Sequence, residues 1–161
     1  MSLLDLDERL IDLASRMDLV YSPIVDTKEF PSEVDATLVE EAVANEENLA
    51  FIRKIRERTR LLVSFGDCAV TGNVTAMRNP LRVAAPVIER SYLDPSNLNP
   101  RRPSEPGILP PLLDQVTPVH SVVRVDLFLP GCPPSADLIH FVLSELVEGR
   151  TPDLRDRLSF G

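Results

Sequence analysis

The sequence predicts an α/β domain, three-layered and doubly wound, with helices on both faces of a mostly parallel sheet. Three observations predict it. Strand-like and helix-like stretches alternate along most of the chain. The run "RLLVSFG" (60–66) is apolar, too short for a helix and bounded by glycine, as a strand buried on both faces would be. The first and last helical stretches each carry one apolar stripe, which must be covered by a sheet face. The chain of 161 residues suits a single domain, 1–161, that can bury a core without disulfide staples.

The elements follow in order. Leu3, Leu6, Leu10, Leu13, Ala14 and Met17 have the spacing of one helical face, with Asp5, Asp7, Glu8, Asp12 and Arg16 off it. Ser2 with Asp5 fits an N-cap signature, so the chain opens on a helix with no strand before it. "DLVYSPIVD" (18–26) and "ATLVEEA" (36–42) are predicted as short strands. Asn45 caps a helix that runs to about Arg58, with Glu46 and Glu47 in the first turn and Lys54, Arg56 and Arg58 towards the end, complementing the helix dipole.

Residues 80–118 hold nine of the 15 prolines and few regular signals. So long a connection within a compact domain binds something or is a solvated excursion, and its middle, Asp94 to Pro111, is the stretch that could face a partner. "VVRVDLFLPG" (122–131) is the last predicted strand. "PSADLIHFVLSELVEGR" then predicts a helix with Leu138, Ile139, Val142, Leu143 and Leu146 on one face and Gly149 as its stop. No internal repeat is present.

Charge excludes one function class. A formal net charge of −8 is wrong for a protein that must displace counterions from nucleic acid, so no nucleic-acid partner is expected. The opening residues lack a secretory signal's basic and apolar regions, and no stretch reaches membrane-spanning length. The expected location is cytoplasmic, with no membrane span. The two cysteines, Cys68 and Cys132, are too few for a disulfide framework.

Cys68 follows the strand ending near Gly66, and Cys132 follows the strand ending at Leu129. Ligands of open α/β sheets bind beyond the carboxyl ends of the strands, so both cysteines project from the functional edge. Gly66 and Gly131 permit the tight turns such an edge needs, and Pro133 and Pro134 stiffen the second loop. Each cysteine alone reads equally as a small buried hydrophobe. A disulfide between them is disfavoured in a reducing compartment. Neither histidine, His120 or His140, has a spacing that selects a nucleophilic dyad. Zinc or an iron–sulfur cluster needs two further ligands, which these residues do not contain.

"LLVSFGDCAVTGNVTAMRNP", "VDLFLPGCPPSADLIHFVLSELVEGR" and "MSLLDLDERL" together resemble the small (delta) subunit of cytoplasmic NAD-reducing nickel–iron hydrogenases. The Gly-x-Cys and Pro-Gly-Cys-Pro-Pro pair is more distantly similar to other nickel–iron hydrogenase small subunits and to the 20 kDa-type subunit of NADH–quinone oxidoreductase. The resemblance implies a flavodoxin-like domain and a proximal [4Fe-4S] cluster, with Cys68 and Cys132 as two of its four ligands. It implies as partners a nickel–iron large subunit and diaphorase subunits that carry flavin and iron–sulfur centres and reduce NAD⁺. The subunit itself would carry electrons and split no hydrogen.

In that family a first strand and a Cys-x-x-Cys run directly into a segment like "MSLLDLDERL". The missing first strand and the other two ligands are therefore expected upstream of Met1, and these 161 residues alone are expected to hold no stable cluster. The competing expectations are a cluster-less docking paralogue and the cluster subunit of the respiratory relative.

The resemblance also makes Glu40 a candidate proton relay, although Glu41 stands where the family has glycine. A strand-end glutamate in solvent is the plain alternative. Asp67 is either an acidic neighbour of the cluster or a turn residue. Backbone N–H groups of "GDCAVTGN" and "PGCPPS", with the side chains of Thr71 and Ser135, are candidate donors to the cluster sulfurs. FMN at the same edge is conceivable by fold analogy but has no phosphate-cradling loop to support it.

Overall fold

The computed structural model describes residues 3–22 and 25–158. Its strands are β1 (Val34–Val39), β2 (Val43–Asn45), β3 (Thr59–Phe65), β4 (Leu112–Thr117) and β5 (Leu127–Leu129). Its helices are α1 (Glu8–Ala14), α2 (Glu46–Arg58), α3 (Gly66–Thr71), α4 (Ala85–Ile88) and α5 (Ala136–Val147). β1, β3 and β5 form a parallel sheet in that order, and β2 pairs with β4 in a separate antiparallel ribbon.

The most buried strand, β3, sits in the middle. Along β3 the alternation sorts residues to two faces. Val63 and Phe65 join Leu6, Leu13, Leu129, Ile139 and Val142 in a core beneath α1 and α5. Leu62 turns the other way, onto Val43, Ile52, Ile55 and Val119 beneath α2. Helices thus cover both faces of the sheet. Leu62 and Leu129 are wholly buried, and each side chain removed from water contributes roughly 2 kcal/mol.

The predicted cap at Asn45 holds, and the structure adds one at Ser135. Asn45 Oδ1 accepts from Asn48 N at 2.7 Å at the start of α2, and Ser135 Oγ accepts from Leu138 N at 3.3 Å at the start of α5. The arginines closing α2 do more than complement its dipole. Arg56 donates to the carbonyls of Thr59, Arg60 and Arg124 and to the Asp126 carboxylate, and Arg58 donates to the carbonyl of Phe30. Asp126 in turn accepts from Leu62 N at 2.8 Å, while its own N–H donates to the Leu62 carbonyl at 2.9 Å, registering β5 on β3 before the ladder begins.

Four sequence expectations are corrected. The opening helix is broken: Asp7, at φ 55°, separates a 3₁₀ turn over Leu4–Leu6 from α1. The proposed cap at Ser2 lies outside the described residues. The segment 18–26 forms no strand in its described part, 18–22 and 25–26. No described strand offers it a ladder, and Tyr21 instead packs against Phe30 and Phe51, at 5.3 and 5.8 Å between ring centroids.

The last strand shrinks to β5, because Val122, Val123 and Val125 turn into the core under α2 rather than extending a ladder. Finally, the proline-rich stretch is more regular than its composition suggests. It contains α4, a five-residue π turn over Glu89–Leu93, and β4. Arg78 and Asn79 anchor that region: Arg78 donates to the carbonyls of Ala44, Leu113 and Asp114, and Asn79 both donates to the Val116 carbonyl and accepts from Val116 N–H.

Candidate functional site

Phe65 and Leu129 are register partners at the ends of β3 and β5, and Cys68 and Cys132 each lie three residues beyond their strand's partner. Parallel pairing therefore delivers both cysteines to the same edge of the sheet. Cys68 lies in the first turn of α3 and is half-buried, while Cys132, in the loop after β5, is exposed. The two loops are joined directly. Asp67 N–H donates to the Gly131 carbonyl at 2.9 Å, and Gly131 N–H donates back to Asp67 Oδ1 at 2.7 Å.

Glycine is needed where the loops meet. At Gly131, φ is +129° and a Cβ would stand 2.6 Å from Cα of the buried Pro134. At Gly66, φ is +81° and a Cβ would stand 3.5 Å from the Gly131 carbonyl oxygen. Both backbones adopt conformations that favour glycine, and they approach closely enough that a side chain at 131 has no room.

Around Cys132, Asn73 Nδ2 donates to Sγ at 3.5 Å. Asn73 N–H donates to Thr71 Oγ1 at 3.3 Å, and Thr71 Oγ1 donates to the Asp67 carbonyl at 2.8 Å. A closed circuit results: Asp67, Gly131, Cys132, Asn73, Thr71 and back to Asp67, with Cys68 on the helical turn inside it.

The remaining sequence candidates fall into place around this circuit or away from it. Glu40 is exposed one residue beyond the carboxyl end of β1, on the same edge of the sheet. Thr71 donates to the Asp67 carbonyl, and Ser135 accepts from Leu138 N–H as the cap of α5. His120 packs edge-on against Phe128, at 5.6 Å between centroids, and His140 lies within α5; neither hydrogen-bonds to a cysteine. Asp67 is a clamp between loops, a role sequence reasoning missed, and it missed the Asn73 side chain as well, offering only the backbone N–H groups of that stretch. The signal for Asn73 was its place after a glycine, where asparagine tolerates a left-handed backbone.

The residues present fit two corners of a four-thiolate site. They offer two thiols on one edge and an amide donor already placed on one sulfur. Among the described residues no group of three or more His, Cys, Asp or Glu side chains could hold a metal by itself.

A parallel α/β domain with paired cysteine loops at its carboxyl edge is the class this geometry defines, and the chain belongs to the family described as NADH ubiquinone oxidoreductase, 20 Kd subunit, whose model matches residues 1–146. Within it, the chain is of the hydrogenase small-subunit kind. It is 39% identical over 158 residues to the NAD-reducing hydrogenase HoxS subunit delta of Cupriavidus necator, covering 96% of this chain and 75% of that one. It is 35% identical to a subunit of the F420-non-reducing hydrogenase vhu of Methanococcus voltae, covering 98% of this chain and 54% of that one. The fold superposes on a crystal structure of an NAD⁺-reducing [NiFe]-hydrogenase in the H2-reduced state with a TM-score of 0.92 and 38% identity, covering all of this chain and 90% of that one.

Proposed function

We propose that this chain is the electron-transfer small subunit of an NAD-reducing nickel–iron hydrogenase, working in the cytoplasm between a nickel–iron large subunit and a diaphorase module. Cys68 and Cys132 supply two thiolates to a [4Fe-4S] cluster. The other two ligands come from outside these 161 residues. When bound, such a cluster supplies one-electron transfer with little change in geometry.

The observation that carries the reading is the union of the two cysteine loops through Asp67 and Gly131, at 2.7 and 2.9 Å. Four-thiolate ligation needs sulfurs held at fixed separation, and sequence distance alone leaves Cys68 and Cys132 unrelated. Register on β3 and β5 brings the loops side by side, and the clamp fixes them there. Beside them the Asn73 amide does what groups around metal ligands do: it orients the Cys132 sulfur and balances its charge. Glu40, exposed just beyond the neighbouring strand end, serves as a proton relay on the same edge.

No helix among the described residues is long and apolar enough to cross a membrane. The proline-rich stretch 80–118 is the partner-facing excursion, and Leu98, Ile108 and Leu109 within it are exposed. Burial on a partner would remove them from water.

The reading is tested by hydrogen-dependent NAD⁺ reduction in the assembled complex. Wild-type chain supports it, and Cys68→Ser should abolish it while the large subunit still co-purifies and still exchanges hydrogen isotopes with water. Undiminished NAD⁺ reduction in that variant would instead favour a docking subunit without redox chemistry.

A further inference from the structure

Asn73 is one of three non-glycine residues with positive φ among the described residues, at 36°. Such a backbone costs an L residue of order 1 kcal/mol, and asparagine tolerates it better than most. Its side chain meets Cys132, 59 positions away, where Nδ2 donates to Sγ at 3.5 Å. The backbone that aims this amide is itself held. Gly72, at φ 91°, turns the chain out of α3, Asn73 N–H donates to Thr71 Oγ1, and Thr71 Oγ1 donates to the Asp67 carbonyl. Asp67 also grips Gly131, the neighbour of Cys132. Donor and sulfur are thus both positioned from one residue.

We propose that Asn73 is a positioning and tuning residue for the iron–sulfur ligand Cys132, its amide raising the potential at which the site accepts an electron. The proposal rests on the reading that Cys132 is a cluster ligand. An N–H donor aimed at a ligand sulfur stabilises the more negative, reduced state over the oxidised one, so its removal lowers the potential. A carboxylate in its place lowers it further, by adding a negative charge beside the sulfur. The effect is specific to one of the two cysteines, since no other side chain among the described residues donates to a cysteine sulfur.

The test uses the assembled complex with Asn73→Gly and Asn73→Asp. Glycine accepts the same backbone without strain, so loss of the amide is separated from loss of fold. The midpoint potential, read by electron paramagnetic resonance during redox titration, should fall in Asn73→Gly and fall further in Asn73→Asp. A cluster in all three proteins with coincident potentials overturns the inference and leaves the proposed function standing. Wild-type complex with no iron–sulfur signal overturns the proposed function and, with it, the tuning role.

The hydrogen bond itself has a separate readout in the full chain without cluster. In ¹⁵N-labelled protein, Cys132→Ala should move the side-chain amide resonances of Asn73 and leave those of Asn48, in α2, in place. Unmoved Asn73 resonances overturn the contact on which the inference stands.

Discussion

Asp67 and Gly131, 64 positions apart, hold each other at two points: Asp67 N–H donates to the Gly131 carbonyl at 2.9 Å, and Gly131 N–H donates to Asp67 Oδ1 at 2.7 Å. The pairing resembles one rung of a β-ladder in which a carboxylate replaces a peptide carbonyl. Its consequence is that two loops from different strands behave as one unit, and each carries a cysteine. Asp126 does the same for Leu62 at the other end of β5, so a strand of three residues is tied to β3 by an aspartate beyond each end.

Asp67→Ala should release the cysteine loops from each other. The lost bond joins a carboxylate to a half-buried amide, so a stability loss of about 1–2 kcal/mol is expected from urea denaturation. Asp67→Asn keeps an oxygen acceptor and should recover most of it. Iron content of the assembled complex should follow the same order, falling in the alanine variant and not in the asparagine one.

Gly131→Ala should be far more costly than Gly66→Ala. At Gly131 the added Cβ would lie 2.6 Å from the backbone of Pro134, whereas at Gly66 the closest approach is an ordinary 3.5 Å. Both changes carry the positive-φ penalty of about 1 kcal/mol, and only the first adds a backbone clash, for a total of about 3 kcal/mol or more. Thermal midpoints of the two variants compare them directly.

Asp126 should give the stability curve an acid limb. Burial opposes its charge, but the Leu62 N–H, Arg56 and the more distant Arg124 outweigh that and hold its carboxyl below the ordinary carboxylate range. The folded value therefore lies under the unfolded one of about 3.9. Its contribution is fully present above that unfolded value and is lost as pH falls through the folded one. Asp126→Asn should be less stable than wild type at neutral pH, and the difference should shrink on acidification. Urea midpoints measured from about pH 7 to about pH 3 follow it.

Ser64→Ala should stabilise the fold. Ser64 is wholly buried in the central strand, between Val39 and Phe128 across the sheet, and its hydroxyl has no hydrogen-bond partner among the described residues. An unpaired buried hydroxyl costs roughly 1–3 kcal/mol, so its removal should raise stability by about 1 kcal/mol after the lost packing of one atom. Calorimetric melting checks the sign.

Much of this architecture is legible in the chain because local patterns and tertiary packing agree there. The buried strand at 60–66, the Asn45 cap and the apolar face of α5 each rest on residues near one another in sequence. Departures arise where distant partners decide. Val122, Val123 and Val125 have strand-forming side chains, yet the core under α2 takes them. The strand β4 is hidden among prolines and becomes regular through its pairing with β2 and through Arg78 and Asn79, some 35 positions earlier.

The site divides in the same way. Cys68 and Cys132 are placed on one edge by strand ends that sequence reveals, and the family resemblance agrees with that placement. Asp67 and Asn73 act through hydrogen bonds spanning 64 and 59 positions, for which no spacing rule exists. Thr71 and Ser135, which the resemblance offers as sulfur donors, also bond to backbone within their own turns, Thr71 donating to the Asp67 carbonyl and Ser135 accepting from Leu138 N–H.

The most direct measurement of the central claim is low-temperature electron paramagnetic resonance of the hydrogen-reduced, assembled complex carrying wild-type chain, Cys68→Ser or Cys132→Ser. A reduced-cluster signal in the wild type that is lost or converted in both single variants is the expected result. A signal unchanged by either substitution would contradict the assignment of Cys68 and Cys132 as cluster ligands.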